Sequence, residues 1–205
     1  MADLLTTGTD ALRRSPLAHL EQRMRLESID GPRGVRLREW PFLTMVAVRA
    51  EPSSTVADRV GECLGVGLPR HAGHVGLNDA HTVLWLGPDE WLVVSHKEPD
   101  GLTRRLQAAV ADGPGCAVDV SANRTVLELS GPSARSVLEK GCTVDLHPRM
   151  FGPGRAVATT LGPVALVLWQ VGRTSYRLIP RSSFADYLAR WLLDALQEFA
   201  APEVP

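Results

Sequence analysis

Hydrophobic and polar positions alternate between strand-like and helix-like patterns along this chain, and they do so twice in the same order. An apolar run near 42–50 meets Pro52 and a serine, after which Val56, Val60 and Leu64 recur every four residues. That spacing, behind a serine suited to an N-cap, predicts a helix over 53–64. Gly65 ends it, and Val66, Leu68 and Pro69 follow. The later stretch 124–149 repeats the arrangement: an apolar run, Pro132 and Ser133, a short amphipathic segment, Gly141, then Val144, Leu146 and Pro148. Pro132 is expected in the first turn of its helix and Gly141 in the left-handed conformation past the end.

The parallel extends downstream. Leu84-Trp85 leads through Gly87-Pro88-Asp89-Glu90 into Trp91-Leu92-Val93-Val94, and Leu168-Trp169 leads through Val171-Gly172-Arg173-Thr174-Ser175 into Tyr176-Arg177-Leu178-Ile179. Both are hairpin signals. Each is followed by a helical pattern, over 101–112 with Leu102, Leu106 and Val110, and over 183–199 with the widest apolar stripe of the chain. The offset between copies stays near 80 residues, the separation of Pro52 from Pro132. Each copy reads strand, helix, strand, strand, helix, and a strand at 116–120 completes a split β-α-β-β-α-β order for the first. The second lacks a closing strand, and residues 35–40 are expected to supply it from the front of the chain. The expected fold class is α+β, with duplicated ferredoxin-like β-α-β-β-α units. The expected layout is an N-terminal arm (1–30), one domain (31–200) of two pseudo-repeats (about 35–115 and 116–200), and a tail (201–205).

Composition narrows the function. Of 205 residues, 44% are hydrophobic, enough for a substantial core, and the formal net charge of −1 gives no general attraction to nucleic acid. The longest apolar stretch, 164–169, is far short of the roughly 20 residues that cross a bilayer. The start has an early acid and no apolar signal core. Cys63, Cys116 and Cys142 are odd in number without Cys-x-x-Cys spacing, which fits thiols in a reducing compartment. A cytoplasmic protein without membrane or nucleic-acid partners is expected.

Candidate chemistry is sparse. His71, His74 and His81 lie close in sequence but lack the i, i+4 helical spacing of zinc enzymes, so a surface loop is favoured over a metal site. The glycines of 152–163 match neither Gly-x-Gly-x-x-Gly nor a Walker motif and read as turns leading into a strand. Asp89-Glu90 suits a hairpin turn. Trp40, Trp85, Trp91, Trp169 and Trp191 fall on strand or helix patterns and read as core, with one or two open to a partner. Residues 146–185 contain no aspartate or glutamate, while Arg149, Arg155, Arg173, Arg177 and Arg181 all fall there. This basic stretch suits either the acidic face of another subunit or a solvated surface.

Several segments resemble the gamma subunits of heterotetrameric sarcosine oxidases: 15–20 (SPLAHL), 83–94 (VLWLGPDEWLVV), 118–151 (VDVSANRTVLELSGPSARSVLEKGCTVDLHPRMF) and 181–192 (RSSFADYLARWL). The resemblance runs from about Ser15 to the C-terminus. It implies a fold similar to the folate-binding region of glycine-cleavage aminomethyltransferases. It further implies larger flavin-bearing alpha and beta subunits and a small delta subunit as partners, with FAD, FMN, NAD and tetrahydrofolate held in those partners and none by this chain alone. The complex of that family demethylates sarcosine oxidatively to glycine, with hydrogen peroxide and methylene-tetrahydrofolate formed.

Asp119-Val120-Ser121, Gly131-Pro132-x-Ala134 and Asp145 resemble the opening part of an aminomethyltransferase. Where those enzymes carry a catalytic aspartate after a glycine pair, this chain reads Gly162-Pro163-Val164-Ala165-Leu166-Val167, and Ile179-Pro180-Arg181 stands in place of an asparagine-containing turn. The resemblance therefore implies no catalytic residues and no metal ligands here. Arg149 and Arg173 are the candidates for touching a cofactor bound mainly by another subunit. The competing readings are a stand-alone folate-binding regulatory or assembly module and a folate-dependent methyltransferase-like enzyme, the latter opposed by the missing carboxylate.

Overall fold

A computed structural model describes residues 13–96 and 101–200. The expected tail, and the first twelve residues of the expected arm, lie outside the described residues. In chain order, a 3-10 turn at Ala18–Leu20 precedes α1 (Glu21–Leu26), then β1 (Arg36–Trp40), β2 (Thr44–Ala50), α2 (Thr55–Leu64), β3 (Val75–Leu77), β4 (His81–Gly87) and β5 (Glu90–Ser95). There follow α3 (Leu102–Val110), β6 (Gly115–Asp119), β7 (Val126–Ser130), α4 (Ala134–Glu139), β8 (Arg155–Leu161), β9 (Val164–Gly172), β10 (Ser175–Pro180) and α5 (Ala185–Leu196).

Two five-stranded antiparallel sheets result, ordered β3-β4-β5-β2-β6 and β8-β9-β10-β7-β1. Matched position by position, the two orders are those of one unit and its copy. In the second sheet β1 occupies the place that β6 takes in the first, pairing Arg36–Trp40 with Val126–Ser130. The strand expected from the front of the chain thus closes the second copy, and the two halves share one chain path.

Helices cover the outer faces and the sheets face each other, giving four layers. Val56, Val60 and Leu64 of α2 and Leu102, Leu106 and Val110 of α3 pack on Val46, Val48, Trp91 and Val93. Leu17, Leu20 and Met24 of the arm join α4 and α5 on the outer face of the second sheet, over Leu127, Leu129 and Leu178. Between the sheets lie Met45, Leu84, Leu92 and Val94 from one side and Val126, Val167, Trp169 and Ile179 from the other.

Local chemistry sets the helix ends. The Ser54 hydroxyl accepts the Ala57 N–H at 3.2 Å, and Gly65 closes α2 with φ 66. The matching end of α4 is different from expectation: Lys140 is right-handed and Gly141 has no positive φ. A Cβ on Gly141 would sit 2.9 Å from Cζ2 of Trp191, so the glycine there permits close approach of α5 instead of reversing the helix. Pro132 also lies just ahead of the helix, in the turn where Ala134 N–H bonds the Gly131 carbonyl at 3.0 Å.

Each copy carries one strand more than the hydrophobic pattern indicates. β3 is three residues long, and β8 mixes small and polar side chains in Arg155–Leu161, so neither announces itself by apolar alternation. Both are sheet edges, where one neighbour suffices. The sheets also meet along this side, since Ala156 N–H donates to the Gly73 carbonyl at 3.0 Å.

Candidate functional site

Four strands bring a row of charged and aromatic side chains to one face of the second sheet. The register sets Arg38 of β1 opposite Glu128 of β7, Glu128 opposite Arg177 of β10, and Arg177 opposite Trp169 of β9. Directly opposed side chains of an antiparallel pair stand close on one face, so the row is a consequence of pairing. Glu128 is buried. Its Oε1 accepts from Arg38 Nε at 3.0 Å and Nη2 at 2.5 Å, and its Oε2 lies 3.5 Å from Arg177 Nε.

Arg177 is held between two indoles. Its guanidinium carbon is 4.6 Å from the Trp40 ring centre and 5.0 Å from that of Trp169, and Arg38 lies 4.7 Å from the Trp40 ring. His96 meets Trp40 edge-on at 5.2 Å. Burial pulls the Arg177 pKa below the ordinary arginine value, Glu128 opposes that pull, and Arg38 adds to it. The guanidinium keeps its charge, since arginine is not deprotonated in proteins. The Glu128 carboxylate is thus engaged within the sheet, closely by Arg38 on one oxygen and more loosely by Arg177 on the other. What the row does is cohere: it fixes β1, β7, β10 and β9 through charge and cation–π contact.

A cavity of about 740 Å³ reaches this row from the side of the N-terminal arm, lined by Ser15, Glu21, Arg25, Arg36, Arg38 and Glu128 among others. Glu39 anchors its wall, accepting the Ser15 hydroxyl at 2.5 Å and the Thr125 hydroxyl at 2.6 Å. Among the described residues no aromatic side chain lines it, and its charges are of both signs. Such a lining offers no stacking plate for a flavin or pterin ring and no uniform field for a dinucleotide phosphate, so the residues present do not fit those groups.

The sequence candidates are dispersed. Arg149 is exposed in the 147–150 turn, its backbone N–H 3.3 Å from His147 Nδ1. Arg173 is exposed in the β9–β10 turn, its carbonyl accepting from Gln170 Nε2 at 3.3 Å. Neither lines the cavity just described or joins the Glu128 row. His71 and His74 stack edge-on at 5.4 Å on the loop before β3, whereas His81 is buried with Nδ1 2.9 Å from the Leu64 carbonyl. Among the described residues no group of three His, Cys, Asp or Glu side chains is placed to hold a metal. Of the tryptophans, Trp91 and Trp169 are buried and Trp91 donates to the Pro69 carbonyl at 2.7 Å.

The architecture has known counterparts. A family model described as "Sarcosine oxidase, gamma subunit family" matches residues 49–198. The chain is 45% identical over its whole length, and the relative's, to a sarcosine oxidase subunit gamma of Corynebacterium sp. (strain U-96). It is 46% identical to one of Arthrobacter sp., again covering 100% of both. This chain belongs to the sarcosine oxidase gamma subunit family. Within solved structures, a chain of heterotetrameric sarcosine oxidase from Corynebacterium sp. U-96, in complex with pyrrole 2-carboxylate, superposes with a TM-score of 0.91 at 46% identity, covering 95% of this chain and 100% of that one. Aminomethyltransferase T of the glycine cleavage system from Bartonella henselae shares the fold, with a TM-score of 0.63 at 12% identity, over 89% of this chain and 57% of that one.

For a member of this family, the feature that residue reading missed is the buried Glu128 row. A signal was present: Glu128 interrupts Val126-Leu127-Glu128-Leu129, a charge where the alternation of a covered strand leaves little water. Its partners could not be found by spacing, because Arg38 lies 90 residues and Arg177 49 residues away in the chain.

Proposed function

We propose that this chain is a non-catalytic gamma subunit of a heterotetrameric sarcosine oxidase, stabilising the complex that converts sarcosine to glycine with formation of hydrogen peroxide and methylene-tetrahydrofolate. The observation that carries the reading is end-to-end similarity, at 45–46% identity, to sarcosine oxidase gamma subunits. The match in fold to a chain of a heterotetrameric sarcosine oxidase supports it. The partners are the alpha, beta and delta subunits, which hold FAD, FMN, NAD and tetrahydrofolate; no catalytic role falls to this chain. The pairing of Glu128 with Arg38 and Arg177 supports that division, as does the apolar Val164 to Val167 where the resemblance puts a carboxylate. Arg149 and Arg173, both exposed, are proposed to lie at a subunit boundary near a partner's cofactor. The residues 31–200 form the structural unit in this reading, and the arm braces it.

The test is a pull-down of the tagged full-length chain from its native cells, followed by the absorption spectrum of the eluate and sarcosine-dependent peroxide production. Co-elution of flavin-bearing subunits, with peroxide formed by the eluate and not by the chain alone, is expected. A colourless protein that elutes by itself and binds a reduced folate would overturn the reading in favour of a folate-binding module.

A further inference from the structure

The end of the β7–β10 pair concentrates positive charge at one corner of the second sheet. Arg124 and Arg181 form an isolated antiparallel bridge there, which sets two arginines side by side. Arg124 Nη1 donates to the Ile179 carbonyl at 3.1 Å. Burial lowers the pKa of Arg124 and Arg181 lowers it further, while the carboxylate that acts against them, Glu90, is bonded to Arg49 Nη2 at 2.9 Å. A half-buried cation beside a like charge is costly unless an anion joins it.

Room for that anion is adjacent. A cavity of about 570 Å³ is lined by Arg13, Arg14 and Arg124 with the polar side chains of Ser121, Asn123 and Ser182. The carboxylate in its wall, Asp119, already accepts the Ser121 N–H at 2.8 Å. At the rim, Phe42 turns the chain from β1 into β2 with φ 59, the sole non-glycine residue of positive φ among the described residues. Its ring is 51% exposed and lies 4.9 Å from the Arg13 guanidinium. A bulky residue is strained in that region where glycine is at ease. An exposed aromatic kept there gives the isolated chain little in return, whereas aromatics and arginines are the residues that anchor interfaces.

We propose that this corner docks an acidic segment of a partner subunit, with a carboxylate seated against Arg124 and Arg181 and Phe42 entering an apolar pocket of the partner. The inference rests on the reading of the chain as a subunit of a larger assembly. Charge complementarity selects the occupant: a segment with carboxylates flanked by apolar residues.

The test compares wild type, Phe42→Gly and Arg181→Glu as full-length chains, by the melting temperature of each alone and by its affinity for the flavin-bearing partner subunits. Phe42→Gly is expected to melt at or above wild type, because glycine accepts φ 59, and both variants are expected to weaken assembly by about tenfold or more. Added salt weakens wild-type assembly more steeply than that of Arg181→Glu. Assembly within about twofold of wild type for both variants would overturn the proposal, being below the effect of a hot spot. A lowered melting temperature of Arg181→Glu with unchanged assembly would also overturn it, assigning the arginines to packing within the chain. Wild type that captures no partner overturns the subunit reading itself. Wild type and variants that assemble alike overturn only the role of this corner.

Discussion

Replacing Glu128 with glutamine keeps the shape of the side chain and removes its charge, which isolates what the ion row contributes. The two pairs differ in worth. The Arg38 side chain is 61% exposed, so its pair with Glu128 behaves as a surface contact of about 0.2–1 kcal/mol. Arg177 and Glu128 are only 13% and 10% exposed, and stripping one partner from a buried pair costs about 3–5 kcal/mol. The 3.5 Å separation and the carbonyl that glutamine retains reduce that figure, leaving about 3 kcal/mol in total. For a chain of this size that lowers the melting temperature by roughly 6–12 °C. The assay is reversible thermal or urea unfolding of Glu128→Gln, Arg38→Met and the double variant Glu128→Leu/Arg177→Met. Arg38→Met is expected to cost no more than about 1 kcal/mol, and the double variant to regain most of the loss, because it leaves no buried charge unpaired. Glu128→Gln unfolding within about 0.5 kcal/mol of wild type, the range of an inert surface change, would show that the buried pair does not hold the sheet.

Three further outcomes follow from local geometry. Ser54→Ala removes the N-cap acceptor of Ala57 N–H and is expected to destabilise by about 1 kcal/mol in the same unfolding assay, with Ser54→Asp close to wild type. Gly131→Ala meets both a φ of 125 and a Cβ position 2.4 Å from the Gly34 carbonyl oxygen, so a loss above about 2 kcal/mol or failure to accumulate folded chain is expected. Asp186, bonded first by Arg190 and then by His19, has a depressed pKa. A carboxyl depressed on folding contributes stability that is present above its unfolded pKa of about 4 and disappears as pH falls through the folded value. Lower hydrogen-exchange protection of residues 15–20, each amide corrected for its intrinsic rate at the pH used, should therefore accompany the loss of the His19–Asp186 contact of 2.7 Å at low pH; the contact is exposed, so the global effect is small.

Much of the architecture is legible in the residues, because it depends on patterns that act over a few positions. The repeat of strand, proline, helix, glycine and hairpin follows from periodicity and turn chemistry, and the Ser54 cap and the Gly65 end of α2 are local events. The borrowed strand was also within reach, since the second copy lacked an edge and 35–40 had no other partner in the pattern. Gly141 shows the limit. Its role depends on Trp191, a residue 50 positions later that reaches it only after α5 packs. β8 shows another: its mixed side chains, half covered at an edge, carry a weak periodic signal, and pairing with β9 makes it a strand.

Most of the elements, the duplication, the origin of the closing strand and, through resemblance, the family are therefore written in the order of the residues, with β3 and β8 the exceptions. Tertiary structure alone decided which charges meet. Arg38, Glu128 and Arg177 become neighbours through strand register, and Arg124 and Arg181 meet where the same β7–β10 register runs on past the strand ends. The physical reason is one of range. Propensity, capping and hydrophobic period are set by nearest neighbours in the chain, whereas the energy of a buried charge is set by neighbours in space.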